Sequence, residues 1–238
     1  MAFAQNMQAY LIDRYYRYLY ERFPQQAEDA LLTAFHRYMF QQGNRAAQRA
    51  VRDGNPLDFE HYQRYREVVS TEEMKREDAP HGGERFLSPE LFEVRIHQCT
   101  AHRLFGQLGT PKEAERLFCR HVDTMNVKSF NPGIPYEVRQ ILCDAEYCLQ
   151  RCENPGCAAD APIGSRMADA PPFPYIMANQ FATMGEIIEA IFGEAGCEIN
   201  AAVRRDFIDR YGEGDWAQIE PYLDSNFDIC YPLGLKKK

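Results

Sequence analysis

The residues best suited to covalent chemistry in this sequence are its eight cysteines, and Cys99 stands first among them. It follows the alternating run Phe92-Glu93-Val94-Arg95-Ile96-His97 and precedes Thr100, a residue able to cap a helix. A thiol at a strand end just before a helix faces N–H groups that stabilise its thiolate and lower its pKa. His97 lies two residues back and His102 one helical turn ahead, so an imidazole is at hand to carry the proton of a thiol nucleophile. The bland alternative is a small packing residue. Against it, Cys99 shares strand parity with Arg95 and His97 rather than with Phe92, Val94 and Ile96. On this reading Cys99 is the most reactive thiol at neutral pH and the first to be labelled by limiting iodoacetamide.

A second group is Cys119-Arg120-His121-Val122-Asp123. His121 falls on an apolar helical stripe, where a buried imidazole needs a partner and is most simply a satisfied core histidine. Asp123, at a predicted helix end where a carboxylate opposes the dipole, is harder to explain as a stabilising residue. Cys143, Cys148, Cys152 and Cys157 form a third group. It invites a metal or redox reading, yet its consecutive spacings are x₄, x₃ and x₄, and none is the C-x₂-C that iron–sulfur runs usually contain. If Cys148 and Cys152 lie on one strand face, they are ~13 Å apart along it and cannot share an ion. Arg45, Arg95 and Arg139 are candidates for a bidentate grip on a substrate carboxylate, with solvated surface residues as the default reading.

These side chains need elements to position them. The first third reads as helix: Ala27, Ala30, Leu31, Ala34, Phe35 and Tyr38 form one apolar stripe after Pro24. Gly43 either ends that helix or merely weakens it, and Asp53-Gly54-Asn55-Pro56 breaks the chain. A short helix is expected over Phe59 to Val69 and an exposed loop over Glu72 to Gly83. A strand over residues 91–99 leads into a short helix from Thr100 to Gly109. Thr110-Pro111-Lys112-Glu113 has the form of a capping box. Two further strands are expected over Tyr136 to Leu142 and Tyr147 to Cys152. Residues 158–178 read as a linker rich in alanine and proline, and residues 179–238 as a helical segment packing back on the 1–157 domain. Phe227 to Pro232 has the pattern of one more strand. The stretch Phe192 to Gly212 aligns without gaps on Phe23 to Gly43, a match that two amphipathic helices ending in glycine also make by chance. The fold class is therefore α+β: a small, mainly antiparallel sheet covered by helices from both ends of the chain.

Composition narrows the partners. With 27 basic and 35 acidic residues the net charge is −8, and the single pure basic run is Lys236 to Lys238, so no phosphate-tracking face is expected. The first residues lack the basic and apolar regions of a signal peptide, and the longest uncharged stretch, Ala170 to Gly185, is too short for a membrane span. Many thiols without a secretion signal point to a reducing, cytoplasmic setting. A hydrophobic share of 45% supports an ordinary core, without any need for a metal or disulfide staple.

Several short motifs, in order, resemble one family. Tyr38-Met-Phe-Gln-Gln-Gly43-Asn-Arg45-Ala46-Ala47 is similar to its helical segment. Phe92 to Cys99 is similar to its strand ending in cysteine, Leu117 to Asp123 to its C-x-x-x-D helix end before Phe130-Asn131-Pro132, and Arg139 and Cys148 to its later arginine and strand cysteine. The resemblance, over about residues 30 to 155, is to the L-2-amino-thiazoline-4-carboxylic acid hydrolases. Thr100 stands where that family has proline, and Cys152 where it tends to have an aromatic residue. The resemblance implies ring-opening hydrolysis of a cyclic amidine-like C–N or C–S bond to an N-carbamoyl amino acid, with no cofactor. That chemistry would use Cys99 or Cys148 as nucleophile, with His97, His102 or His121 as proton shuttle. Asp123 would orient the imidazole or hold the exocyclic nitrogen, and Arg45, His97, Asn131 and Arg139 form the substrate-binding set.

Overall fold

The computed structural model describes residues 5–67, 82–157 and 170–235. The alternation at Phe92, Val94 and Ile96 produces the expected strand, β2 (Leu91–Gln98). It pairs with β1 (Gly82–Leu87) on one side and β4 (Cys148–Glu153) on the other, and β4 pairs with β3 (Tyr136–Gln140). The order is β1-β2-β4-β3 and every neighbour is antiparallel. Period-2 side chains divide the sheet cleanly. Phe92, Ile96, Tyr136 and Cys152 are buried on one face, whereas Arg95, His97, Glu137 and Arg139 are exposed on the other. The α+β expectation holds.

Two helical hairpins and the helices between the strands cover that face. α1 (Gln5–Arg22) turns into α2 (Ala27–Arg52), and α6 (Phe173–Phe192) turns into α7 (Glu194–Tyr211). The aromatic corners Phe23 and Phe192 stack with ring centroids 4.1 Å apart. A main core runs through α1, the first half of α2, α4 (Thr100–Leu108), α6, α7 and α8 (Glu213–Ile219). A second core sets the alanines of α2 (Ala46, Ala47, Ala50) and α3 (Phe59–Tyr65) against the sheet, together with Val127 and Phe130 of α5 (Lys112–Phe130). Each fully buried large side chain contributes about 1.5–3 kcal/mol relative to exposure, so α2, which feeds both cores, is the spine of the fold.

Gly43 does not end α2. It sits mid-helix because α5 crosses there: a Cβ at Gly43 would lie 2.3 Å from the Asn126 carbonyl and 2.9 Å from the Phe130 nitrogen. Gly82 and Gly83 belong to β1 rather than to a loop, and Gly83 lets that strand close on Arg95, whose carbonyl a Cβ would approach to 2.2 Å. The rest of the loop expected over Glu72 to Gly83 lies outside the described residues, as does most of the 158–178 linker. Its last part, from Phe173, is already α6, since proline suits the first turn of a helix, where no N–H partner is needed.

Two further expectations are corrected. The Thr110 side chain does not cap α5. It donates to the buried Asp13 of α1 at 2.8 Å instead, tying the loop to the helical hairpin. Phe227 to Pro232 is a run of turns, not a strand. Its backbone is bound by side chains of α2, with the Cys230 N–H donating to Gln48 Oε1 at 2.9 Å and the Arg45 Nη1 donating to the Phe227 carbonyl at 2.6 Å.

Candidate functional site

Cys99 is the N-cap of α4, with an extended backbone (φ −122°, ψ 127°). The alternation of β2 stops at Gln98, so Cys99 does not join His97 on the exposed face. His97 packs instead on the Tyr147 ring, 5.5 Å away. The Cys99 thiol sits among Asp123, Glu115, Cys119 and Cys148, each of which acts on it or feels it electrostatically. The backbone N–H groups of Ala101 and His102, in the first turn of the helix, favour its thiolate, although the side chain makes no capping hydrogen bond. Their stabilisation is outweighed by burial, which with the two carboxylates pushes the Cys99 thiol above its ordinary range. The expected lowering of its pKa is thus reversed: the helix N-terminus is present, but the low-dielectric surroundings penalise the thiolate more strongly. Burial also lifts Cys148, to about 12, and Cys119 far higher.

His102 is fixed by its neighbour on α5. Its Nδ1 lies 2.5 Å from Oε1 of the buried Glu115 while the outer part of its ring remains exposed. Cysteine, histidine and a carboxylate that orients the histidine are thereby gathered at one helix start. Glu115, Cys119 and Asp123 follow one another at intervals of four on α5, and this spacing brings all three to the face that meets the sheet.

Asp123 is the centre of a second set. Its Oδ2 accepts from Nε2 of Gln150 at 2.9 Å, and Gln150 Oε1 accepts from the Tyr136 hydroxyl at 2.7 Å. Gln150 Nε2 also approaches Cys148 Sγ, at 3.9 Å. Close packing around the carboxyl raises its pKa, opposed by the charge of Arg66, while part of the residue's surface stays open. Cys99, Cys148 and Arg66 are likewise half-buried. Buried chemistry with partial access is what a small-molecule site requires.

The remaining residues of the sequence reading are placed elsewhere. The Arg45 guanidinium is fully buried and already committed to Glu67 (3.0 and 2.6 Å), Asn179 Oδ1 (2.9 Å) and the Phe227 carbonyl. Arg139 lies on the exposed face of β3 in an ion pair with Glu137 at 2.6 Å. Asn131 holds a turn, donating to the Leu57 carbonyl at 2.6 Å and accepting from the Gly133 N–H at 2.8 Å. His121 turns away toward His36 and Arg120, and burial together with those charges lowers its pKa. Among the described residues no group of three or more His, Cys, Asp or Glu side chains is arranged to hold a metal ion. No helix among them is long and apolar enough to cross a membrane.

Sequence reasoning missed Glu115, Gln150, Tyr136 and Arg66. Gln150 carried a signal, because a polar residue at the inward parity of a strand, between Cys148 and Cys152, must have a partner. Arg66 carried none, being one of several arginines beside a loop.

The chain belongs to the L-2-amino-thiazoline-4-carboxylic acid hydrolase family, whose model matches residues 4–148. That span contains Cys99, His102, Glu115, Asp123 and Cys148, and stops short of Gln150. No curated protein and no solved structure matches the chain.

Proposed function

We propose that this protein is a cysteine-dependent hydrolase that opens a small, carboxylate-bearing cyclic amidine of the thiazoline type. The observation that carries the reading is Cys99 at the N-cap of α4, with His102, held by Glu115, on the first turn of the same helix. The Cys99 thiolate attacks the ring carbon between nitrogen and sulfur. The ring C–S bond breaks and the departing sulfur takes a proton from the His102 imidazolium. Water then adds to the Cys99-bound carbon, His102 takes its proton, and the C–S bond to Cys99 breaks to leave an N-carbamoyl amino acid. The net change is addition of one water. Asp123 receives the exocyclic nitrogen, and Cys148 lines the pocket. The reduced thiols suit a cytoplasmic setting.

The test is incubation with L-2-amino-thiazoline-4-carboxylic acid, following by mass spectrometry the product heavier by one water. Wild type should turn over and Cys99→Ala should lose on the order of 10³-fold or more in rate. Activity retained in Cys99→Ala but lost in Cys148→Ala would move the nucleophile to the strand. Activity retained in both, and lost in Asp123→Asn, would replace thiol attack by direct attack of water. No turnover of this or related thiazolines and lactams would remove the hydrolase reading.

A further inference from the structure

The arginine whose charge acts on Asp123 is Arg66. Arg66 is the C-cap residue of α3, with an extended ψ of 146° that turns the chain off the helix. Its Nε is buried and has no hydrogen-bond partner. Its guanidinium acts on Asp123, Tyr62 and Tyr136 together, which places it beside these three residues. Among the described residues it forms no ion pair, so the opposite charges of Arg66 and Asp123 face each other without closing. Elsewhere the same fold closes such pairs: Arg45 and Glu67 meet at 2.6 Å, and Arg49 and Glu67 at 2.8 Å. A buried guanidinium atom without an acceptor costs free energy unless a ligand supplies one.

We propose that Arg66 is the carboxylate anchor of the site, and that with Asp123 it selects ligands carrying a carboxylate at one end and an amidine at the other. The inference rests on the hydrolase reading for the ligand's identity and deepens it by assigning the recognition residue. A planar guanidinium takes a carboxylate by two parallel N–H···O bonds. The amidine N–H groups donate to Asp123, whose other partner, Gln150, is held in register by the Tyr136 hydroxyl. Neither arginine favoured by the motif resemblance is available for this contact, Arg45 being enclosed and Arg139 lying on the far face of the sheet.

The experiment compares calorimetric binding of two probes, L-2-amino-thiazoline-4-carboxylic acid and 2-amino-thiazoline without the carboxylate. Both are titrated into the Cys99→Ala protein with Arg66 intact and with Arg66→Met. With Arg66 intact the acid should bind roughly 10²-fold more tightly than its decarboxylated counterpart. Arg66→Met should erase most of that ratio, by weakening the acid far more than its counterpart. Protection of wild-type Arg66 from phenylglyoxal, read by peptide mapping, gives the same answer should the variant not fold: the acid should protect and the decarboxylated compound should not. An unchanged ratio in Arg66→Met, equal protection by both compounds, or no binding of the acid overturns the proposal. Arg66-dependent binding with no turnover by wild type leaves the anchor standing and removes the hydrolase reading. Turnover without Arg66 dependence does the reverse.

Discussion

Two of the polar groups inside this protein are built on opposite plans. Around Arg45, both guanidinium charges meet the Glu67 carboxylate, although Arg49 Nε, like Arg66 Nε, has no hydrogen-bond partner. Glu67 accepts from Arg45 with both carboxylate oxygens and from Arg49 with one, and Asn179 accepts from Arg45 while donating to Gln41 (2.6 Å) and Thr183 (3.0 Å). Arg45, Glu67 and Asn179 are fully buried. Around Asp123, by contrast, the carboxylate has one amide partner, an arginine stands by without contact, and three thiols are held against their ordinary acidity. Those residues keep some access to solvent. A closed network fixes α2 to α6 and to the C-terminal turns. An open one stores unmet hydrogen-bonding and charge, which is what a ligand can use.

Glu67→Gln would break this comparison most violently. It leaves Arg45 and Arg49 buried without a counter-charge, and removing one partner of such a pair destabilises by about 3–5 kcal/mol. Urea denaturation should show that loss at neutral pH. The pH dependence has a definite sign. Although burial opposes it, the charges and hydrogen bonds of Arg45 and Arg49 hold the Glu67 carboxyl below its ordinary range. Its contribution is therefore complete above the unfolded carboxyl pKa of about 4.3 and is lost as pH falls through the lower folded value. The difference between wild type and Glu67→Gln should shrink as the solution is acidified below about pH 4. A difference constant down to pH 2 would contradict the closed-network account.

Asp123→Asn should move stability the other way. Burial raises the Asp123 pKa, so its folded form prefers the proton and the ionised carboxylate is a burden above that value. Its stabilising contribution is present at low pH and lost as pH rises through the raised pKa. Asn removes the charge and can still accept from Gln150, so the variant should be at least as stable as wild type above pH 7, by the same denaturation assay. Turnover should nonetheless fall about 10²–10⁴-fold, the usual worth of a positioned acid–base group. A variant both destabilised and active would make Asp123 a structural residue.

The contrast also explains what the sequence could show. Strands at Phe92 to Gln98, Tyr136 to Gln140 and Cys148 to Glu153 were visible because one covered face imposes period two. The thiols, Asp123 and His102 stood out by type and spacing. What escaped notice depended on contacts between distant segments. Gly43 looks like a helix end until α5 is known to cross it, and Arg45 looks like an anion-binding residue until Glu67 is seen to fill it. Thr110 looks like a cap until Asp13 is brought beside it from the first helix. The direction of the Cys99 shift is hidden for a related reason: a helix N-terminus can be read locally, whereas burial is a property of the packed whole.

The finest test of the open network is the pH dependence of cysteine alkylation. Cys197 is exposed and should be labelled first by limiting iodoacetamide. Cys99 should follow, with a labelling midpoint above the ~8.5 of a free thiol, since burial and the nearby carboxylates disfavour its thiolate. Asp123 is one of those carboxylates, so Asp123→Asn should lower the Cys99 midpoint and speed its labelling at pH 8 by roughly twofold. Labelling of Cys197, on α7, should not change. A Cys99 midpoint below that of a free thiol would mean that the Ala101 and His102 N–H groups outweigh burial after all. An unchanged rate in Asp123→Asn would separate the thiol from the carboxylate and divide the open network into two unconnected parts.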